Sequence, residues 1–597
     1  MAKLGIDIKT KRRWLRIFRR RQHDVQEMGA RADDRIDRLL IRRFDSLVSV
    51  RRFVLLWVSL FALLFFCVVV QLRALSPHYQ KLVPVPGGMY SEGLIGNFTN
   101  ANPLYATGTA DSTISHLIFS GLFKYDTSNR LVGDLAKGWQ VDPSGKTYTV
   151  TLKKGLTWHD GTPLTSADVV FTYDTIQKPE AQSSLYTSWQ GIKVAATNAN
   201  TVVFSLPNTL SSFPYALTNG IVPAHLLKKI PAQQLRSADF NVKPIGTGPF
   251  MWKFVEVTGA DSTLRQQRIS LAPFNHYWAG KPKLDGFSIL TFNDDQRLID
   301  AFKSKQINAI SGFETLPDEL IGDKSIQTYT TPLTSEVMSF FNNSRPLLSD
   351  VSIRRALVSG VDRRQIVPLL PYTVNPLNSP LLPGQVGYTP SVTQLAYNPA
   401  QANQLLDQAG WVRGPGGQRI KDGKQLALSL SSQDTEIYSR VAKFLQNQWG
   451  ALGIKVVVHY YSSDDLQSVI ISNHDYDILL YGINIGVDPD VFAYWDSSQA
   501  SAGSQGHLNL SEYKSTVADQ ALEAGRTRLD PAVRAVKYTT FATTWSQDAP
   551  ALALYQPRFL YITHGPVFGY ERKSANGAVD RFYNVSNWMI RQQHKNL

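Results

Sequence analysis

The chain has 597 residues, too many for one ordinary domain of about 100 to 200 residues, so several lobes are expected. Hydrophobic residues make up 43% and charged residues 18%, which excludes a disordered chain. The formal net charge of +14 suggests nucleic-acid binding at first, but sixteen Lys and Arg against seven Asp and Glu in residues 1–52 contribute +9 of it. The basic charge belongs to one tail, and no nucleic-acid partner is expected.

An apolar segment follows this tail. FVLLWVSLFALLFFCVVV has no charge, and the span 53–72 is long enough to cross a bilayer of about 30 Å as a helix. The excess of cations before it places the N-terminus in the cytoplasm. A cleaved signal peptide is the alternative, although the only cleavage-like site is Ala74-Leu75-Ser76. The single cysteine, Cys67, lies within the span after two phenylalanines, which argues against a disulfide framework or a lipid anchor.

The segment 73–90 is rich in Pro, Gly and small polar residues and is predicted to be a linker. Beyond it, TYTVTL (147–152) alternates apolar and polar residues, which predicts a half-buried strand. Thr165 or Ser166 is predicted to cap a helix with Asp168 in its first turn.

The C-terminal half alternates strands and helices. Asn398 is predicted to cap a helix that has Pro399 at its first position. Strands are then predicted at residues 426–432, 454–461 and 476–482, with helices between them, which indicates a parallel sheet. Because ligands bind outside the carboxyl ends of such strands, the last strand's exit is a candidate binding position.

No pattern in the chain predicts an enzyme. The eleven histidines are scattered, without HExxH, a Walker loop, GxSxG or GxGxxG, so neither a catalytic residue nor a cofactor is expected. Asp488 and Asp490 follow a strand but lack further acids at the spacing of a calcium loop, so no metal site is expected.

Seven segments, in order, resemble the extracellular solute-binding proteins of ABC importers, in the oligopeptide/dipeptide/nickel class called family 5. They start with NANPLYATGTADSTISHLIFSGLFKYD, LAKGWQVDPSGKTYTVTLKKGLTWHDGTPLTSADVVFTYD and IGTGPFMW. They continue with FFNNSRPLLSDVSIRRALVSGVDRRQIV, YNPAQANQLLDQAGW, YGINIGVDPDVF and DPAVRAVKYTTFATTWSQDAPALALYQ. Together they extend over almost all of residues 90–570, whereas the tail and the apolar segment lie outside the resemblance.

The resemblance implies an α/β fold of two lobes, periplasmic-binding-protein-like (type II, the large class with an extra subdomain), behind the N-terminal transmembrane helix. The expected organisation is listed in chain order: a cytoplasmic tail at 1–52, the helix at 53–72, the linker at 73–90, lobe I at 91–335 plus 557–597, lobe II at 343–548, and hinges at 335–342 and 549–556.

The function implied is capture of a solute between closing lobes and its delivery to ABC permease subunits. Segment 106–111 of lobe I and the strand exit 481–490 of lobe II are expected to face the cleft. The candidate ligand-binding residues are Thr109, Asp111, Phe341, Asn342, Tyr481, Asn484, Ile485, Asp488 and Trp495.

Two of these positions depart from the peptide-binding pattern or have a structural alternative. In peptide-binding members a W-x-x-D-x-x-DP pattern supplies the acid for the ligand's α-amino group, and here Gly482 and Ile485 occupy the Trp and Asp positions. Either Asp488 or Asp111 replaces that acid, or the ligand has no free amine. Asp488 is at the same time a candidate helix cap before Pro489.

The favoured interpretation is a single-pass, outward-facing receptor for peptides or peptide-like solutes. One alternative is a non-peptide ligand, such as a sugar, an opine or a metal chelate. Another is a sensor that signals through its basic cytosolic tail, which is either a membrane-surface helix or a solvated segment.

Overall fold

The computed structural model describes residues 51–259, 265–372, 374–501 and 508–596. They divide into two compact units, one of residues 51–83 with 592–596 and the other of Pro84–Arg591. Apart from Arg51 and Arg52, the predicted basic tail lies outside the described residues.

The first unit consists of a helix and a two-stranded sheet. Helix α1 (Arg51–Tyr79) is long and apolar enough over Arg51–Ala74 to cross a membrane, by length and composition. It runs on through the first part of the predicted linker, and strand β1 (Gln80–Val85) pairs there with the last strand, β24 (Arg591–Asn596). The prolines of the linker did not prevent a strand because each strand of a two-stranded sheet is an edge, where proline is tolerated.

The remaining strands all belong to the second unit, which also contains the last residues of β1 and the first residue of β24. In chain order they are β2 (Met89–Ile95), β3 (Phe123–Tyr125), β4 (Leu131–Gly133), β5 (Ala136–Val141), β6 (Thr147–Leu152), β7 (Lys193–Asn198), β8 (Thr201–Ser205), β9 (Phe250–Thr258), β10 (Gln266–Pro273), β11 (Gly286–Phe292), β12 (Ala309–Ser311), β13 (Ile326–Pro332), β14 (Ser335–Phe341), β15 (Asn375–Pro376), β16 (Val412–Arg413), β17 (Arg419–Lys421), β18 (Lys424–Gln425), β19 (Ala427–Gln433), β20 (Lys455–Tyr461), β21 (Ile478–Asn484), β22 (Ala551–Gln556) and β23 (Arg558–His564).

The longer helices of this unit lie between these strands. They are α2 (Thr109–Ile118), α3 (Ser166–Ile176), α4 (Asp295–Lys303), α5 (Val351–Ser359), α6 (Pro399–Gln408), α7 (Glu436–Ala451), α8 (Thr516–Thr527) and α9 (Pro531–Asp548). Two predicted starts are confirmed: Thr165 forms a capping box with Asp168 at α3, and the Asn398 side chain accepts from Gln401 N at α6.

Lobe I is built on a seven-stranded sheet in the order β13-β23-β12-β2-β11-β10-β9. A four-stranded antiparallel sheet, β5-β6-β8-β7, forms a further layer, and its strand β6 has the predicted bounds and the predicted alternation of buried residues. Large aromatic side chains of both sheets share one apolar core.

Lobe II is built on a six-stranded sheet in the order β15-β22-β14-β21-β19-β20. Strand β19 is parallel to both β20 and β21, which confirms the parallel arrangement predicted from the alternating pattern. Helices α5, α6 and α7 cover one face of the sheet and α8 and α9 the other, so apolar cores lie on both sides.

The two lobes are joined where the chain changes sheets. It leaves the lobe I sheet after β13 and enters the lobe II sheet at β14, and it returns between β22 and β23. The crossings are therefore Leu333–Thr334 and Pro557. The segments 335–342 and 549–556, predicted as hinges, largely form β14 and β22, each hydrogen-bonded to strands on both sides within lobe II.

Candidate functional site

The two crossings lie side by side and are hydrogen-bonded to each other. Leu333 N donates to Pro557 O at 3.0 Å, and Gln556 Nε2 donates to Leu333 O at 2.7 Å. Thr334 N donates in turn to Ala575 O of lobe I at 2.8 Å. The junction of the lobes is thus a double connection whose two crossings are held together by hydrogen bonds.

The exit of β21 lies beside this junction. Ile485 N and Gly486 N both donate to Thr334 O, at 3.0 and 3.3 Å. Asn484 Nδ2 donates to Asn576 O of lobe I at 2.7 Å. Asn484 is exposed at the lobe junction, where its amide joins the two lobes.

Ile485 itself is not part of a binding surface. It is 7% exposed and belongs to the apolar core beneath the sheet, together with Ile483, Val491 and Trp495. At Gly482, a Cβ atom would lie 2.9 Å from the Tyr438 hydroxyl, so a larger residue there would require that side chain to shift.

Asp488 forms a buried ion pair instead of a helix cap. The nearby short helix begins only at Phe492, after Val491 as its cap residue. Arg534 Nη2, from α9, donates to both carboxylate oxygens of Asp488, at 2.7 and 2.9 Å. Burial raises the pKa of Asp488, and the guanidinium acts against this shift. Asp488 is therefore not available as an anchor for a ligand cation.

Asp490, two residues later, connects the lobes. Its Oδ2 accepts from the hydroxyl of Ser212 in lobe I at 3.0 Å and lies 3.4 Å from Arg526 Nε. The carbonyl of Arg526 in turn accepts from the backbone and the hydroxyl of Ser211, at 2.8 and 2.9 Å. The guanidinium of Arg526 stacks on Phe492, 4.1 Å from the ring centroid. The two lobes therefore touch at this second place as well as at the crossings.

Asp111, the acid predicted to bind a ligand in lobe I, is also hydrogen-bonded within the fold. Asp111 Oδ1 accepts from Thr99 N at 2.7 Å and from Asn100 N at 3.1 Å, and its Oδ2 accepts from the Thr99 hydroxyl at 2.7 Å. Thr109, the first residue of α2, is exposed outside the cavity described below. Both carboxylate oxygens of Asp111 are therefore bonded within the fold, and Thr109 does not line that cavity.

Three residues predicted to touch a ligand lie in the lobe II cores. Phe341 packs against Trp449, and Trp495 stacks on Phe340. Asn342 is 1% exposed, its Nδ2 donates to His474 O at 3.1 Å, and its Oδ1 accepts from Ser344 N at 3.1 Å. Tight packing on both faces of the sheet excludes these side chains from the cleft.

Tyr481, the remaining predicted contact, is half-buried beside one of these cores, and its hydroxyl donates to Gln467 Oε1 at 3.0 Å.

One cavity lies in lobe I, with a volume of about 500 Å³. It is enclosed by helix α2, strand β3, residues 216–220 and the segment 573–586 near the C-terminus. None of the nine predicted residues lines it. Helix α2 and strand β3 lie in the first segment of the family resemblance, whereas residues 573–586 lie outside all seven segments and were not predicted to form a site.

The cavity has charged and titratable side chains of both signs. They are His116, Lys124, Asp134, Lys573 and Asp580. His116 is accessible within the cavity yet deep in the lobe, and this desolvation lowers its pKa to about 4, so the ring is neutral at pH 7. Such a mixture of apolar walls and a few charged groups is typical of a small-molecule binding site.

A second cavity, of about 640 Å³, lies where the lobes face each other. Lobe I contributes residues 188–192 and 206–210, and lobe II contributes Phe492 and residues of α8. Ser188 borders both cavities, so the two are neighbours. In the described residues, no group of three or more His, Cys, Asp or Glu is arranged to hold a metal ion.

Comparison with known proteins points to one family. The model of the bacterial extracellular solute-binding proteins, family 5 (middle), matches residues 130–505. The chain is 27% identical over 530 residues to the oligopeptide-binding protein AppA of Bacillus subtilis, covering 85% of this chain and 92% of that protein.

Solved structures share the two-lobe fold. The ABC transporter substrate-binding protein CtaP of Listeria monocytogenes superimposes with a TM-score of 0.73 at 25% identity, covering 85% of this chain and 99% of CtaP. The complex of Bacillus subtilis AppA with a nonapeptide gives a TM-score of 0.66 at 26% identity, covering 85% and 100% of the respective chains.

Proposed function

Since the chain belongs to the bacterial extracellular solute-binding proteins of family 5, we propose that it captures a peptide or peptide-like solute between its lobes and delivers it to an ABC permease. The observation that carries this proposal is the cavity of about 640 Å³ that both lobes line, a volume suited to a small peptide, with the lobe I cavity of about 500 Å³ next to it. The similarity to AppA, an oligopeptide-binding protein, supports a peptide ligand, and the similarity to CtaP, an ABC transporter substrate-binding protein, supports delivery to a transporter.

The lobes close over the solute by rotating about the crossings Leu333–Thr334 and Pro557. In the described residues the chain passes between the lobes at these two crossings, so a small change of backbone angles there separates the lobes without disturbing either core. The contacts of Asp490 and Arg526 with lobe I form on closing and break on opening. In this scheme the segments 91–332 and 558–590 move as lobe I and 335–556 as lobe II.

Helix α1 anchors this receptor in the membrane, with the N-terminus inside and the lobes outside. Its apolar surface is exposed along Arg51–Ala74, which a lipid bilayer would cover. An uncleaved anchor requires the membrane-bound protein to have the mass of the whole chain, 66.7 kDa. Intact mass spectrometry of the membrane fraction tests this, since a shorter, soluble product would mean that α1 is a cleaved signal.

Peptide capture is tested with the full chain in detergent micelles against peptides of two to nine residues. A subset should raise the melting temperature, and Ser188→Trp, at the border of both cavities, should abolish the rise. Ser237→Trp, on the exposed surface of lobe I, is the matched control. If no peptide stabilises the chain but a sugar, an opine or a metal chelate does, the peptide assignment is wrong.

A further inference from the structure

The first compact unit has charges of one sign only. Its described residues, 51–83 and 592–596, include neither an aspartate nor a glutamate. Its Lys and Arg residues are Arg51, Arg52, Arg73, Lys81 and Lys595. The nearest acids of the second unit along the chain are Glu92, eleven positions after Lys81, and Asp580, fifteen positions before Lys595. The described part of the first unit therefore has no carboxylate side chain of its own to neutralise these cations.

Two of these cations lie on the paired strands that follow helix α1. Lys81 is the second residue of β1 and Lys595 lies in β24, and both residues are exposed. Within the described residues, neither lysine forms an ion pair. This two-stranded sheet, the β1–β24 ribbon, therefore presents two ammonium groups that are suited to an anionic partner outside the chain.

Helix α1 is longer than its apolar stretch requires. Its 29 residues, Arg51–Tyr79, rise by about 44 Å, which matches the thickness of a bilayer together with its head groups, about 40 to 45 Å. In the membrane position proposed above, the apolar span 53–72 crosses the hydrocarbon core. Residues 73–79 then extend the helix by about 10 Å, through the head-group layer. The helix therefore ends, and β1 begins, at the surface of the lipid head groups.

An anionic leaflet fits this ribbon better than a dissolved anion does. At physiological ionic strength charges act over about 8 Å, so Lys81, one residue after the start of β1, lies within reach of the lipid phosphates. Each Lys or Arg at such a surface strengthens binding by about fivefold. Because α1 keeps the ribbon beside the leaflet, the ribbon meets the head groups at a high effective concentration, which a dissolved anion does not have.

Resting on the proposed anchoring of the chain by helix α1, we propose that the β1–β24 ribbon binds anionic phospholipid head groups through Lys81 and Lys595, in the leaflet on the side of the lobes. The chain enters the second unit from β1 and returns from it into β24. Both chain connections of the receptor are then fixed at the membrane surface. The segment 73–90, predicted from the sequence to be a linker, is in this arrangement a lipid-bound support and not a free tether.

The test uses the full chain in lipid nanodiscs, made either of phosphatidylcholine alone or of phosphatidylcholine mixed with phosphatidylglycerol. Hydrogen exchange with mass spectrometry follows the backbone amides of β1 and β24. These amides exchange when the ribbon opens, so a lipid that binds only the paired ribbon slows the exchange by mass action. We expect exchange to be slower by about fivefold or more in the anionic discs, and high salt to remove the difference.

Two double variants separate the ends of α1. Lys81→Gln/Lys595→Gln should exchange equally fast in both discs, whereas Arg51→Gln/Arg52→Gln, which removes two cations at the other end, should keep the difference between them. If the ribbon of the lysine variant does not form even in neutral discs, the salt dependence of the unaltered chain decides the question.

Equal exchange of the unaltered chain in both discs overturns lipid binding by the ribbon, and so does a difference that persists in the lysine variant. Neither result affects the proposed anchoring by α1, which fails instead if the protein in the membrane fraction lacks the mass of the whole chain.

Discussion

Asp490 of lobe II accepts a hydrogen bond from the hydroxyl of Ser212 in lobe I at 3.0 Å. Arg526 reinforces this contact, because its side chain approaches the same carboxylate while its carbonyl accepts from Ser211. The structure therefore joins the lobes at a point well separated in sequence from the crossings, and this contact makes closure testable.

We expect Ser212→Ala to weaken ligand binding about threefold to tenfold without changing the ligand-free melting temperature appreciably. The hydrogen bond to a charged acceptor favours the closed state, so its loss shifts the population of the binding-competent conformation. Small-angle scattering should show a larger mean radius for the variant without ligand. Ser237→Ala is the control, and an unchanged radius and affinity in Ser212→Ala would mean that this contact does not hold the lobes closed.

Asp488→Asn should lower the free energy of unfolding by about 3 to 5 kcal/mol, because Arg534 would remain charged and buried with only a neutral partner. The double variant Asp488→Leu/Arg534→Met should lose less, since it removes both charges. Urea unfolding of the full chain measures both. A double variant as unstable as the single one would show that packing, and not the charge, dominates.

The stability of the chain should depend on pH through His159. Its Nδ1 accepts from Gly246 N at 3.2 Å and its Nε2 faces Gly248 O at 3.0 Å, an arrangement that fits the neutral ring. Burial lowers its pKa to about 4, whereas an unfolded histidine titrates near about 6.5. Between these values the unfolded chain binds a proton that the folded chain does not.

The free energy of unfolding should therefore fall as the pH is lowered from about 6.5 towards 4. In His159→Gln this part of the pH dependence should disappear, while the part due to His116 remains in both proteins. Melting temperatures at pH 7, 6, 5 and 4 make the comparison. Parallel curves for the two proteins would contradict the prediction.

Glu336, in the middle of the lobe II sheet, should oppose folding as the pH rises. It is fully buried, neither carboxylate oxygen has a partner among the described residues, and burial raises its pKa well above 4.5. Above the unfolded pKa the unfolded chain loses this proton while the folded chain keeps it, so stability declines up to the folded pKa. We expect Glu336→Leu to gain about 1 to 3 kcal/mol at pH 8.

Glu336→Gln serves as the matched control, because it keeps a polar group of similar size but cannot ionise. The stability of Glu336→Gln relative to the wild type should be higher at pH 8 than at pH 5. At pH 5 the wild-type carboxyl is closer to neutral in both the folded and the unfolded state. Chemical unfolding at the two pH values measures both variants. A loss of stability in Glu336→Leu at pH 8 would show that the carboxyl has a stabilising partner, such as a bound water.

The local elements were accessible from the sequence because their causes are local. The alternation in 147–152 and the cap at Thr165 depend on neighbours a few residues away, and both are found in the structure. The crossings lie a few residues away from the predicted hinges. A hinge and a strand have similar extended residues and differ in whether neighbouring strands pair with them, which the local sequence does not reveal. Strand β14 is flanked on both sides, and this depends on β21 and β22, far along the chain.

The sequence by itself determined the family, the two-lobe α/β class and the apolar segment, since each depends on residue type and order. Only the tertiary structure decided which polar groups are free. Asp488 is paired with Arg534, 46 positions away, and Asp111 accepts hydrogen bonds from Thr99 N and Asn100 N. A buried charge is defined by its partners, and folding chooses those partners by bringing distant segments together.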